Sequence, residues 1–288
     1  VDVAASRHLF KEQVYISAEQ AELEVPQAGW LARTYKAHSS AILGGTAVIA
    51  FLALWEWAGS SGAVNPLFSS SPSRILHAFR VLIANGELGH DCAVSGVEFL
   101  YGFALAIVIG IPFGILMGWY KPLEAVLDPF VNFFYATPRV ALLPLMIIWL
   151  GIGINSKIAI VYLGAIFAIL ISTITGMKTL DASQLKMARS FGATDVQVFK
   201  TIALPSSVPF ILGGIRLGLG HALVGIVVGE LYAATAGVGY LIAVAGNTFQ
   251  TDKVFVGIVI IAGAGMVLTA LFKKIEDHYQ SWRPERSS

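Results

Sequence analysis

The sequence predicts an all-α membrane protein with about six transmembrane helices and both termini in the cytoplasm. Three observations carry this. Of 288 residues, 56% are hydrophobic and 13% charged, and the mean hydropathy is +0.72, too apolar for an ordinary soluble domain. The apolar residues lie in unbroken runs of about 20, the length of a membrane helix, not in the short alternating segments of a barrel. With the N-terminus inside, thirteen of the nineteen Lys and Arg fall on inner segments. Only Arg74, Arg80, Lys157 and Lys253 fall on outer ones, and Arg139 and Arg216 lie within spans. That asymmetry satisfies the positive-inside rule.

Residues 1–40 are polar and open with no signal-peptide pattern, so they read as a cytoplasmic tail. A transmembrane domain over 41–272 follows. Its first span is about 41–58, with Trp55 and Trp57 as interfacial aromatics. Asn65-Pro66 and the serines around Pro72 mark a loop. Ser73 is placed to cap a short helix that Asn85-Gly86 closes. The second span, about 93–119, holds Glu98 and a bending Pro112, and Lys121-Pro122 makes a tight turn. The third, about 125–150, is interrupted by Pro129, Pro138-Arg139 and Pro144 and is expected to break. The fourth runs 157–177 and the fifth from near Pro209 to about Tyr232. Small and polar residues at 233–252 precede the sixth, 254–272, and a charged cytoplasmic tail occupies 273–288.

One polar stretch between spans stands out, KMARSFGATDVQVFKTIALP at 186–205, inside a cytoplasmic loop over 178–206. Asp181 with Gln184, and Thr194 with Gln197, have capping-box spacing. Gly192 falls between the two helices they start, where a positive φ is needed. Leu185, Ala188 and Phe191 form one apolar stripe, Val196, Phe199 and Ile202 another. Pro205 is expected to stop the segment.

This stretch resembles the EAA loop of ABC-importer permeases: E-A-A, three residues, Gly, nine residues, I-x-L-P. Ala188, Gly192, Ile202, Leu204 and Pro205 match at that spacing, while Lys186 and Met187 stand where the pattern has Glu and Ala. From about Trp55 to Trp282 the chain is similar to permeases of the nitrate/sulfonate/taurine group. The likeness is carried by NPLFSSSPSRIL, GELGHDCAVSGVEFLYGFALA, ATPRVALLPLMIIWLGIG and GELYAATAGVGYLI together with the loop. The resemblance implies a type I ABC importer permease fold in a bacterial inner membrane. It implies a second permease copy, expected as a homodimer, two ATP-binding cassette ATPase subunits holding ATP and Mg, and an extracytoplasmic solute-binding protein delivering a small anionic solute. Lys186, Met187, Ala188, Arg189, Gly192, Ala193, Ile202, Leu204 and Pro205 are then the residues that couple to the ATPases.

The residues themselves point to no enzyme. There is no G-x-x-x-x-G-K-[ST] run to cradle phosphates and no H-E-x-x-H or carboxylate cluster to hold a metal. Cys92 is the only cysteine, which excludes an intrachain disulfide, and no basic cluster suggests nucleic acid.

Charges within spans cost ~2.5–3.5 kcal/mol each at a helix centre. Arg139, Arg216 and Glu230 are the candidates, either facing a path for a small anion or serving as interhelical partners. Arg216 and Glu230 lie roughly 21 Å apart on one helix and cannot pair with each other. Glu98 and Glu56, near span ends, read as structural. Gly213, Gly214, Gly218 and Gly220 suit close approach between helices or between two copies. The rival class is an ion-coupled secondary transporter, which predicts an inverted repeat and ion ligands on broken helices. No convincing repeat relates 41–150 to 157–272, though the third span is broken. A scaffold with no pore leaves the capped loop unexplained.

Overall fold

The computed structural model describes residues 30–280 except 63, 66 and 181, and its regular structure is helical throughout those residues. It divides into two units, Val1–Trp57 and Ala58–Ser288. The first holds most of helix α1 (Trp30–Ser60), of which Ile42–Ser60 is apolar and long enough to cross a membrane.

In the second unit α2 spans Pro72–Ala84. It begins one residue before the predicted cap Ser73. Pro72 suits a first turn, where its missing N–H is no loss, and the Ser73 hydroxyl pairs instead with that of Ser71 at 3.0 Å. Asn85 closes α2, and Gly86, at φ +80°, turns the chain directly into α3 (Glu87–Trp119). The predicted Lys121-Pro122 turn is made by Tyr120 alone, in extended conformation, and Pro122 lies in the first turn of α4 (Lys121–Ala136). The third span does break. After α4 a 3-10 turn, Arg139–Leu142, leads into α5 (Leu143–Leu150), with a bend of 93° between the halves. Pro138 and Pro144, each lacking an N–H, flank that turn.

Helix α6 (Ile154–Lys178) is the centre of the bundle, with α3 along one side and α8 along the other. Between them come α7 (Ala182–Ser190) and Gly192. Helix α8 then runs Asp195–Ala233 as one helical stretch that includes a π turn. This corrects two expectations. Pro205 does not stop the segment, and the helix that carries the fifth span starts well before Pro209. The turn Phe199–Ala203 is a π-helix, in which the Leu204 N–H donates to the Phe199 carbonyl. The α-helical ladder is therefore already interrupted where the proline lacks its donor. A short helix α9 (Val238–Asn247) and a last long one, α10 (Thr251–Gln280), complete the unit. Helix α10 thus extends past Phe272 into the stretch read as tail. Residues 1–29 and 281–288 of the two tails lie outside the described residues.

Two sets of contacts define the ends of the bundle. At one end Trp119 meets Phe199 edge-on at 5.1 Å, and Lys178 pairs with Glu124. At the other, Arg74 pairs with Asp252 at 3.1 Å and the Thr251 hydroxyl donates to the Leu67 carbonyl at 2.7 Å.

The core between α3, α6 and α8 is built on Phe103, Ala106, Val161, Ile169, Leu219 and Ile226. Lipid tails are as apolar as these side chains, so close packing has to hold the helices together. Gly102 shows how: a Cβ there would sit 2.6 Å from Val161 Cβ, inside contact distance. The fifth-span glycines divide. Gly214 and Gly218 abut α6, where a Cβ would meet Ser172 Cβ at 2.6 Å and Ile169 Cγ1 at 3.0 Å. Gly213 and Gly220 have nothing within 4 Å. With exposed Leu217 and Val224 they form an open stripe along α8.

Candidate functional site

Three constellations bear on function. The first is the polar segment after α6. Its first predicted capping box, at Asp181, lies outside the described residues. Helix α7 ends in a Schellman motif: the Ala193 N–H donates to the Ala188 carbonyl and the Gly192 N–H to the Arg189 carbonyl, each at 3.0 Å. Gly192 holds φ +76°, as its position between the helices predicts. The second capping box forms. The Gln197 N–H donates to Thr194 Oγ1 (3.4 Å), and the Thr194 N–H donates to Gln197 Oε1 (2.8 Å).

The stripes of this segment are not wholly inward. Leu185, Ala188 and Ile202 are half-buried and Phe199 packs on Trp119, but Phe191 is 86% exposed, and Met187 and Val196 are exposed too. Lys186, Arg189 and Lys200 surround them, also exposed, while Ala193, Leu204 and Pro205 are half-buried. Arg189 approaches Asp195 at 3.9 Å, both in the open, which contributes little. The result is an exposed apolar cluster accompanied by exposed basic side chains, on a turn closed by two backbone hydrogen bonds.

The second constellation is a cavity of about 290 Å³ at the bend of the third span. Tyr135, Thr137 and Arg139 line it from the break, Gly164 from α6, and His221 and Gly225 from α8. The Arg139 guanidinium lies 5.7 Å from the centre of the Tyr135 ring. The Thr137 hydroxyl donates to the Phe133 carbonyl at 2.9 Å. Gly164 and Gly225 let α6 and α8 touch behind the cavity: a Cβ on Gly164 would sit 2.9 Å from the His221 carbonyl oxygen.

The third is a buried polar network at the opposite end from Gly192. Lys157, read from sequence as an outer-loop cation, is buried and paired with Glu98 of α3. Glu230, 1% exposed, accepts from the Ser95 hydroxyl and the Gly239 N–H, each at 2.6 Å. The Gly237 N–H donates to Asp91 Oδ1 (2.9 Å) and the Val238 N–H to Ser95 Oγ (2.8 Å). Side chains of α3 and α8 thereby satisfy the orphan donors at the start of α9.

The three predicted span charges therefore lie apart. Arg139 faces the cavity and Glu230 is the cap of α9. Arg216 pairs with Glu276 of α10 at 3.0 Å, on a side chain still 41% exposed. It lies near the middle of α8, which starts at Asp195. Sequence reasoning missed Asp91, Ser95, Lys157 and His221. The i, i+4, i+7 spacing of Asp91, Ser95 and Glu98 marks one polar face on an apolar helix and could have found three members of the network. Nothing local marks His221. Among the described residues no group of three or more His, Cys, Asp or Glu could hold a metal ion.

Residues 110–280 match the family described as binding-protein-dependent transport system inner membrane component. A protein of Bacillus subtilis (strain 168) bearing the name SsuC, for aliphatic sulfonates transport, is 37% identical over 232 residues, covering 81% of this chain and 84% of that one. The taurine transport system permease protein TauC of Escherichia coli (strain K12) is 32% identical over 239 residues, 81% of this chain and 87% of that one. In fold, a chain of the MetNI methionine ABC transporter, solved in inward-facing conformations, gives a TM-score of 0.53 at 19% identity, covering 65% of this chain and 91% of that chain.

Proposed function

The chain belongs to the binding-protein-dependent transport system inner membrane components, and from that premise we propose how it works as the permease subunit of an ABC importer. It is a multi-pass inner-membrane protein with the importer permease fold. The observation that carries the mechanism is the exposed apolar cluster around Gly192. An apolar tip of Phe191, Met187 and Val196 on a polar loop is a surface for a partner, and its turn is rigid enough to transmit a push. That partner is a pair of ATPase subunits, which hold ATP and Mg and carry out the hydrolysis. Helix α8 continues from this loop through the bundle, so a displacement at Thr194 reaches the span directly. The ends bearing Lys121, Lys178 and the loop 178–206 are cytoplasmic, with the termini, by the count of basic residues. On this reading residues 41–272 form the permease domain between two tails.

The open α8 stripe of Gly213, Leu217, Gly220 and Val224 is the face for a second copy, since small residues let membrane helices approach closely. A solute-binding protein docks on the other side of the membrane and delivers a small sulfonate-like anion, the solute class named for the two relatives. Arg216 and Glu230 act as structural partners in this scheme. Co-expression with the cognate ATPase tests the loop. Phe191→Ser should insert normally yet lose the ATPase on purification, and full retention of the ATPase would count against the docking surface.

A further inference from the structure

We infer that the cavity at the bend of the third span is an oxyanion-binding station within the membrane, with Arg139 as its cation. This rests on the importer reading, and it adds a solute site in the permease itself. Three other cations of the bundle each have an acid: Lys157 has Glu98, Arg216 has Glu276 and Lys178 has Glu124. Arg139 has none among the described residues. Its Nε is buried without a hydrogen-bond partner, and its neighbour is the face of Tyr135. A guanidinium inside a membrane protein calls for a counter-charge, and no carboxylate lines this cavity. A small anion in the cavity would supply that counter-charge.

The guanidinium fork presents paired N–H donors matched to two oxygens of one oxyanion. His221 brings an imidazole to the same space, and Thr137, whose hydroxyl is committed to the Phe133 carbonyl, offers only an acceptor. Donors thus come from Arg139, Tyr135 and His221. At about 290 Å³ the space lies at the small end for a ligand pocket, enough for a short sulfonate with a few waters. His221 and Val224 also put the cavity beside the open stripe of α8, so a paired permease carries two stations flanking its central seam.

The test uses the whole permease–ATPase complex in lipid nanodiscs, without a binding protein, and radiolabelled ethanesulfonate as the probe. The wild-type complex should bind it saturably, taurine and nitrate should compete, and ethanesulfonamide, of similar size but uncharged at neutral pH, should not. Arg139→Gln should weaken binding at least tenfold and Arg139→Lys less than fivefold. Protection of the wild-type protein is read in parallel. Ethanesulfonate should slow phenylglyoxal modification of Arg139 at least fivefold by peptide mass spectrometry, a readout that survives if Arg139→Gln fails to assemble. A complex that imports solute with ATP and binding protein, yet shows no saturable binding of ethanesulfonate and no protection of Arg139, overturns the station and leaves the importer reading intact. A complex that imports nothing under ATP removes the importer reading instead.

Discussion

Lys157 of α6 and Glu98 of α3 form an ion pair sealed inside the bundle, their side chains 6% and 2% exposed. Burying two charges is costly, and their attraction offsets that cost only while both are present. Lys157→Met strands Glu98 and should destabilise the protein by ~3–5 kcal/mol. Lys157→Met with Glu98→Leu should recover most of the loss, because neither charge is left behind. Thermal unfolding in detergent compares the two. A single variant that melts with the wild type would show that the pair does not hold α3 to α6.

Arg216 and Glu276 are a contrasting case. Their 3.0 Å contact joins an arginine side chain 41% exposed to a glutamate side chain only 11% exposed, so solvent reaches the pair from one side and its loss strands a buried carboxylate less completely than in the sealed pair. Arg216→Gln should therefore lower the melting temperature less than Lys157→Met does, with the complex still assembled. Loss of the assembled complex on size-exclusion chromatography would mean the pair carries far more.

Gly192 holds a left-handed conformation that costs a residue with a Cβ ~1–2 kcal/mol, and Asn less than a β-branched residue. Gly192→Val should insert in the membrane yet impair uptake, whereas Gly192→Asn should retain most of it. Equal transport by both would mean the turn is not a rigid link.

Pairing through α8 predicts that Gly220→Phe, which fills the open stripe at a position with nothing within 4 Å, disrupts the permease pair without unfolding the protomer. Native mass spectrometry reads the outcome. A complex holding one copy of this chain beside a different permease would refute the homodimer.

What the sequence made legible is local. Run lengths mark the spans, Pro138 and Pro144 mark the break, and Gly192 with the Thr194–Gln197 box marks the turn, because each effect is decided within a few residues. Pro205 misled, since a π turn upstream accommodates it without ending the helix. Lys157 misled because its partner lies in α3, far away in the chain, and only the folded bundle joins them. Glu230 could be recognised as a charge needing a partner, but the donors it receives, Ser95 and the Gly239 N–H, come from two other elements. The Arg139 cavity was half legible: the cation was evident, while His221 and Gly225 enter only through the packing of α8 on α6.

ATP-driven uptake by proteoliposomes holding this chain with its ATPase subunits and binding protein separates an ABC importer from an ion-coupled transporter. We predict that labelled taurine or an aliphatic sulfonate accumulates only with ATP, and that removing this chain abolishes uptake. Gly192→Val should lower it while the complex stays assembled. Accumulation driven by an ion gradient with no ATPase present would instead make the chain a secondary transporter.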